Sequence, residues 1–267
     1  MNHGLRFQVL VIPNVPWAQY LDRFVRLEAL GIDVAAVPDH FCDWGNPSGP
    51  WLEAWTGIAA IAAHTSTIRL TTCVTQIPLR NPAVLAHQAV TVDHISGGRL
   101  EFGLGAAWHE AEHRGYGIPF PSAGERIAIL DEALRVIKAL WTEDTASFDG
   151  QHFRLEDAIC NPKPVQKPHP PVLLGGSGPK VLDRVLAYAD EWTPNRFGTP
   201  DELKVRVDEL RERAGRHVRV VCSGVKPERE LVESLEAIGV DGCTFYVSPE
   251  ADAGEAERQL DAFAALG

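Results

Sequence analysis

A single-domain (β/α)8 barrel of the α/β class is the fold this sequence predicts, and three observations predict it. Short β-rich runs alternate with longer runs of helical periodicity along the chain, which is the pattern of a parallel sheet. Eight such units fit within 267 residues, about 33 residues each, a length at which such a sheet closes into a barrel. No Ser/Gly linker or low-complexity tract divides the chain, so one domain is expected over 1–267. A doubly wound open sheet is the competing arrangement. It would leave two strand edges to protect, and the first turn reads Pro13-Asn14-Val15-Pro16 rather than G-x-G-x-x-G.

The units follow in order. Phe7 to Ile12 is almost wholly apolar, as a strand buried on both faces must be. The helix after it carries Tyr20, Leu21, Phe24, Leu27 and Leu30 at helical spacing and stops at Gly31. Val34 to Val37 is the second strand and Leu52 to His64 the second helix. Ile68 to Gln76 and Pro82 to Ile95 form the third pair. Arg99 to Leu104 is the fourth strand, and Gly124 to Trp141 its long helix, with Ile127, Leu130, Leu134, Ile137 and Leu140 along one stripe. The second half repeats the pattern with strands at Pro171 to Leu174, Glu191 to Pro194, Val218 to Cys222 and Gly242 to Val247. Their helices are Val181 to Ala189, Asp201 to Arg213, Glu228 to Ile238 and Glu255 to Leu266. Phe148 to Pro171 is the one long irregular stretch, with five of the 19 prolines. It reads as a connection with room for a small hairpin.

Composition narrows the function. Hydrophobic residues make up 45% and charged residues 23%, which suits a packed globular core. The net charge of −11 argues against a nucleic-acid or anionic-membrane partner, since either needs a basic face. No apolar run approaches the roughly 20 residues of a membrane span. The N-terminus lacks the plan of a signal peptide. Five scattered cysteines without a C-x-x-C pair suit free thiols and a cytoplasmic setting.

In such a barrel chemistry sits where the strands end. The second strand ends in Asp39-His40-Phe41-Cys42-Asp43-Trp44, an acid and a proton-transfer base beside an aromatic wall. The same residues also suit a capped loop and a covered barrel mouth. The third strand ends in Gln76 and leads to Arg80, which suits either a ligand anion or a structural ion pair. After the fourth strand Gly105-Ala106-Ala107 strips side chains away, so a flat ligand can lie on the backbone. After the fifth, Gly175-Gly176-Ser177-Gly178 opens a helix, the arrangement of a phosphate site. His109-Glu110-Ala111-Glu112-His113 matches H-E-x-x-H. Glycines at 115 and 117 stop any helix there at once, and the only distant third ligand is Glu132, so no metal is expected and the segment reads as a polar loop. No G-x-S-x-G elbow or Walker loop is present, and no carboxylate pair is placed as in a glycosidase.

Taken together these strand ends resemble the luciferase-like flavin and deazaflavin oxidoreductases. The matching pieces are Asp39-His40-Phe41 with Trp44, TTCVTQIPLRNPAVLA, GGRLEFGLGAAWHEAE with YGIPF, RIAILDEALRVIKALW, QKPHPPVLLGGSG and ADEW, in the family's order. The D-H-F-x-x-W pattern is similar to that of the branch using coenzyme F420. The resemblance implies hydride transfer between F420 and a small organic substrate, with FMN-dependent monooxygenation as the alternative. It implies His40 as acid/base, Trp44 on the substrate side, and Asp39, Cys73, Val74, Gln76, Ala106 and Ala107 around the cofactor. Gly175, Gly176, Ser177 and Gly178 would hold its phosphate. The sugar-phosphate members place a catalytic Glu at about the position of Trp108. The family also implies a non-prolyl cis peptide between Cys73 and Val74, bulging against the cofactor ring. The second helix, Trp55 to Ala63, lacks a polar face over two turns, which predicts a homodimer unless packing within one chain accounts for it.

Overall fold

The computed structural model describes residues 4–248 and 253–266. The chain runs β1 (Arg6–Leu10), α1 (Trp17–Ala29), β2 (Val34–Val37), α2 (Ala54–His64), β3 (Arg69–Thr72), β4 (Thr75–Gln76), α3 (Pro82–Ser96), β5 (Leu100–Gly105), α4 (Glu110–Gly115) and α5 (Ala123–Thr142). It continues with β6 (Ala146–Asp149), β7 (Arg154–Ala158), β8 (Val172–Gly175), α6 (Val181–Tyr188), β9 (Glu191–Thr193) and α7 (Pro200–Arg213). It ends with β10 (Arg219–Ser223), α8 (Arg229–Ala237), β11 (Gly242–Tyr246) and α9 (Ala253–Ala264). The parallel strands close in the order β1, β2, β3 with β4, β5, β8, β9, β10, β11, and β11 pairs back onto β1 from Arg6↔Gly242 to Leu10↔Tyr246. This is the expected single-domain barrel of eight staves ringed by helices.

The third stave is not the continuous strand that Ile68 to Gln76 suggests. It breaks at Cys73 and Val74, whose peptide bond is cis as the resemblance implies. Before the break β3 pairs with β5 at Leu70↔Leu100, and after it β4 pairs at Gln76↔Gly105. The close passage requires glycine on β5. A Cβ at Gly103 would lie 1.9 Å from the Thr72 carbonyl oxygen, and one at Gly105 would lie 2.7 Å from Val74 Cγ2.

Alternate residues of each strand point inward and fill the barrel in layers. The lowest layer is ionic. Glu101 accepts from Arg6 Nη1 at 3.0 Å and Nη2 at 2.6 Å, and Glu191 accepts from Arg219 Nε at 2.9 Å. Above it Gln8 Nε2 donates to Thr244 Oγ1 at 3.0 Å. Nearest the C-terminal mouth lie Leu10, Ile12 and Ala36, with Trp44, Trp51 and Cys73 packed on them. The main core lies outside the strands, between barrel and helices, where Phe24, Leu27, Trp55, Ile58, Ile61, Phe102 and Trp141 are buried.

The long connection does contain a hairpin. β6 and β7 are antiparallel, and the Glu132 carboxylate of α5 holds their turn by accepting from the backbone N–H groups of Gln151 (2.8 Å), His152 (2.8 Å) and Phe153 (3.1 Å). The residue that could have been a distant metal ligand is therefore a loop clamp. All five cysteines are free. Among the described residues no helix is long and apolar enough to cross a membrane.

Candidate active site

The ends of β2, β4 and β5 converge at the mouth, and His40 stands where they meet. β2 delivers Asp39 and His40 through a turn, and both are buried. His40 Nδ1 lies 2.9 Å from Glu112 Oε2. Gln76 Nε2 donates to the Asp39 carbonyl at 2.6 Å and to Glu112 Oε2 at 3.1 Å, which uses both of its hydrogens. Gln76 Nε2 and His40 Nδ1 are 3.2 Å apart and converge on one acceptor. The only arrangement that satisfies all three groups has His40 Nδ1 protonated and donating to Glu112. Nε2 is then left for a ligand. The Phe41 amide donates to Glu112 Oε1, so the carboxylate grips both the ring and the backbone beside it.

Burial pushes the Glu112 carboxyl up, but His40, the Phe41 amide and Gln76 outweigh it and hold it at about 2. It is therefore an anion well below neutral pH. The Glu112 side chain is fully covered and His40 only 8% exposed, so water screens this contact little.

Aromatic groups wall in the ring. Ring centroids of Trp44, Trp108 and Trp51 lie 5.1, 5.6 and 6.3 Å from that of His40. Trp51 Nε1 also donates to the His40 carbonyl at 2.7 Å. Trp108 stands 58% exposed over the entrance. Across the mouth Tyr246 Oη and Ser223 Oγ are 2.7 Å apart, and Cys73 Sγ lies 3.9 Å from Ser223 Oγ. Burial pushes the Cys73 thiol up to about 11 and the Tyr246 phenol up to about 12, so both remain neutral.

The structure thus gathers His40, Trp44, Asp39 and Gln76 at one point, but it occupies two of them internally. The Asp39 carboxylate takes both guanidinium arms of Arg80 and the Gln76 amide at 3.0 Å. Gln76 gives its two amide hydrogens to Asp39 and Glu112, and its Oε1 lies 3.5 Å from His113 Nε2. Asp39 and Gln76 act as struts beneath His40, and Arg80 is the structural ion pair. Cys73 and Val74 project at the break in the third stave, and Val74 packs between Gly105 and Gly175. Ala106 and Ala107 follow β5, with Ala107 in the left-handed region at φ 63°.

Gly175 to Gly178 lie apart from His40, around the mouth at the start of α6. Gly176 has φ 133°, and Lys180 at the helix N-cap makes no side-chain cap bond, so no side chain of the N-cap residue covers the first amides of α6. Beside Gly175, Thr193 Oγ1 is buried without a partner. An uncrowded glycine backbone and an orphaned hydroxyl suit the edge and phosphate of a flat cofactor.

Sequence reasoning missed Glu112, Trp51 and Trp108. The signal for Glu112 was present in the H-E-x-x-H match. The segment is not a loop but the helix α4, which turns Glu112 inward under His40. His109 packs beside Trp108 (centroids 4.9 Å), whereas His113 faces Phe120 (4.9 Å), so the two histidines serve different neighbours.

Comparison with known proteins agrees with this architecture. Residues 5–227 match the model of the luciferase-like monooxygenase family. An uncharacterised Mycobacterium tuberculosis protein is 33% identical over 219 residues, 80% of this chain and 76% of that one. An FMNH(2)-dependent dimethylsulfone monooxygenase from Pseudomonas putida is 31% identical over 189 residues, 70% of this chain and 52% of that enzyme. An F420-dependent glucose-6-phosphate dehydrogenase from Amycolatopsis mediterranei is 36% identical over 160 residues, 59% of this chain and 47% of that enzyme. The chain thus matches about half the length of these two enzymes. An F420-dependent secondary alcohol dehydrogenase, solved with an F420–acetone adduct, superposes with a TM-score of 0.83 at 20% identity, covering 98% of both chains.

Proposed function

The chain belongs to the luciferase-like monooxygenase family, and from that premise we propose that it transfers a hydride between coenzyme F420 and a small organic substrate. The observation that carries the reading is the Glu112–His40 pair with its aromatic wall, a proton-transfer group with one defined free nitrogen at the barrel mouth. Cys73, Val74, Ala106 and Ala107 would flank the cofactor ring, and Gly175 to Gly178 would hold its phosphate. When bound, F420 supplies a two-electron hydride carrier.

The chain's own part is proton handling and shielding. Oxidation of a substrate alcohol sends the carbon-bound hydrogen away as hydride and leaves the hydroxyl proton for His40 Nε2. In the reductive direction Nε2 returns that proton. Glu112 keeps the ring oriented and stabilises the charge it acquires. Trp44, Trp51 and Trp108 exclude bulk water, which strengthens the Glu112–His40 interaction.

FMN is the second reading, favoured by the identity to the dimethylsulfone monooxygenase. Against it stands the short link between β9 and α7, residues 194–199, which leaves little chain for a long lid over a reactive flavin. Titration of the pure protein with F420 and with FMN separates the two. Micromolar F420 binding, with turnover abolished and binding kept in His40→Ala, is the expected result. Binding of FMN alone would transfer the assignment to a monooxygenase. A homodimer in the cytoplasm is part of the same proposal.

A further inference from the structure

Around the mouth from the glycine loop, between β9 and α7, lies a cleft of about 120 Å³ lined by Ser177, Trp192, Arg196, Phe197, Leu203 and Arg206 among others. Among the described residues no carboxylate is hydrogen-bonded to either of its two arginines. Among the described residues Arg206 Nε and Nη2 have no hydrogen-bond partner; the side chain is 27% exposed, and Glu209 Oε2 lies 3.6 Å from Nε. The Arg206 guanidinium lies 5.7 Å from the Trp192 ring centroid. Arg196 is exposed, and its backbone amide donates to Ser177 Oγ at 3.2 Å. Glu202 also borders the cleft, but its carboxylate accepts from the Thr199 amide at 2.8 Å in the capping box of α7. Buried guanidinium donors without an acceptor are costly, and a planar carboxylate is their natural partner.

We infer that this cleft is a subsite for the oligo-γ-glutamate tail of F420, with Arg196 and Arg206 holding its carboxylates; the inference rests on the deazaflavin reading above. Three observations lead there. The order around the barrel is Val74 with Gly105, then the glycine loop, then the cleft, which is the order of ring, phosphate and tail in the coenzyme. Ser177 belongs to both the glycine loop and the cleft, so the two sites adjoin. The chain carries a net charge of −11, so its overall field repels a polyanionic tail and a local pair of cations must supply the attraction. FMN ends at its phosphate and would leave this cleft unused.

The test compares the deazaflavin fluorescence titration of F420 bearing several glutamates with that of its tail-less phospholactyl form. Wild-type protein is expected to bind the tailed form about tenfold or more tightly, with an advantage that shrinks as salt is raised. The double variant R196Q/R206Q is expected to bind the tail-less form like wild type and to lose the advantage. The tail-less arm also shows that the variant is folded. Equal affinity of wild type for both forms overturns the subsite while leaving F420 use intact. Equal loss of both forms in the variant also overturns it, since the arginines would then serve the phosphate or the fold. Failure of both forms to bind, with FMN binding instead, would reject the deazaflavin reading itself.

Discussion

A carboxylate can do what an amide of the same shape cannot, and Glu112 depends on that difference. Three donors reach it: His40 Nδ1, the Phe41 amide and Gln76 Nε2. In Glu112→Gln one arm becomes a donor, so it faces either His40 or Phe41 with the wrong polarity. We expect His40 to answer by moving its proton to Nε2, which 15N NMR of the imidazole reports directly. Turnover should fall by about two to four orders of magnitude, the scale of a misplaced tautomer, while cofactor affinity changes little. An unaltered Nδ1–H signal in the variant would remove Glu112 from the orienting role. A second residue-scale expectation concerns Gly103. Its missing side chain leaves room for the Thr72 carbonyl, so Gly103→Ala should cost about 3 kcal/mol or more, read from the denaturant midpoint. His40, Trp44 and the glycines were legible in the sequence because they stand at strand ends. The partners of Asp39, Gln76 and Arg80 were not, because only the folded mouth brings 36 to 41 positions of separation down to hydrogen-bond distance.

Element boundaries followed periodicity closely wherever apolar residues face a core. β2 was legible to the residue, and α3 and α5 nearly so, since each buries an unambiguous face. Two elements escaped for physical reasons. Glycines 115 and 117 suggest a break, yet α4 needs only six residues and ends at Gly115, with Gly117 at φ 69° just beyond it. The third stave looks continuous in an apolar run, but its partner strand offers glycines instead of side chains, and that signal lies about 30 positions away. The turn of the β6–β7 hairpin is held by one side chain, that of Glu132. Glu132→Ala should therefore lower stability by about 1–3 kcal/mol and open the turn at 150–153 to limited proteolysis. Protection equal to wild type would show that the hairpin stands without the clamp. In α2 the bulky Trp55, Ile58 and Ile61 are satisfied within the chain, and the outward positions are Thr56, Ala59, Ala60 and Ala63. Only small groups therefore remain for a partner copy. If that face pairs in solution, sedimentation should give about twice the 29.2 kDa of one chain; a single-chain mass at micromolar concentration would remove the homodimer.

At the scale of the molecule, the barrel's two ends respond to pH in opposite senses. At the base, burial and the neighbouring Glu101 push the Glu191 carboxyl up to about 7 from an ordinary 4.5, against the pull of Arg219 and Arg6. The folded protein thus retains a proton that the unfolded chain releases, and the stability it contributes at low pH is lost as pH rises between about 4.5 and 7. Glu112 at the mouth is depressed, so its contribution holds above 4.5 and is lost as pH falls towards 2. Wild type should show a decline of the urea midpoint between pH 5 and 7, and Glu191→Gln should flatten it; an identical pH profile in the variant would shift the cause elsewhere in the base. The eightfold alternation made this architecture legible, but the ionic base was not, because Arg6, Glu101, Glu191 and Arg219 sit on separate strands within otherwise apolar runs. That base has a consequence for traffic. Among the described residues the base is stoppered by interlocked charges, which leaves the mouth as the doorway, so two ligands that share it obstruct each other's departure. Saturating substrate should slow the escape of prebound cofactor in a stopped-flow chase, and a release rate indifferent to substrate would reveal a second way out.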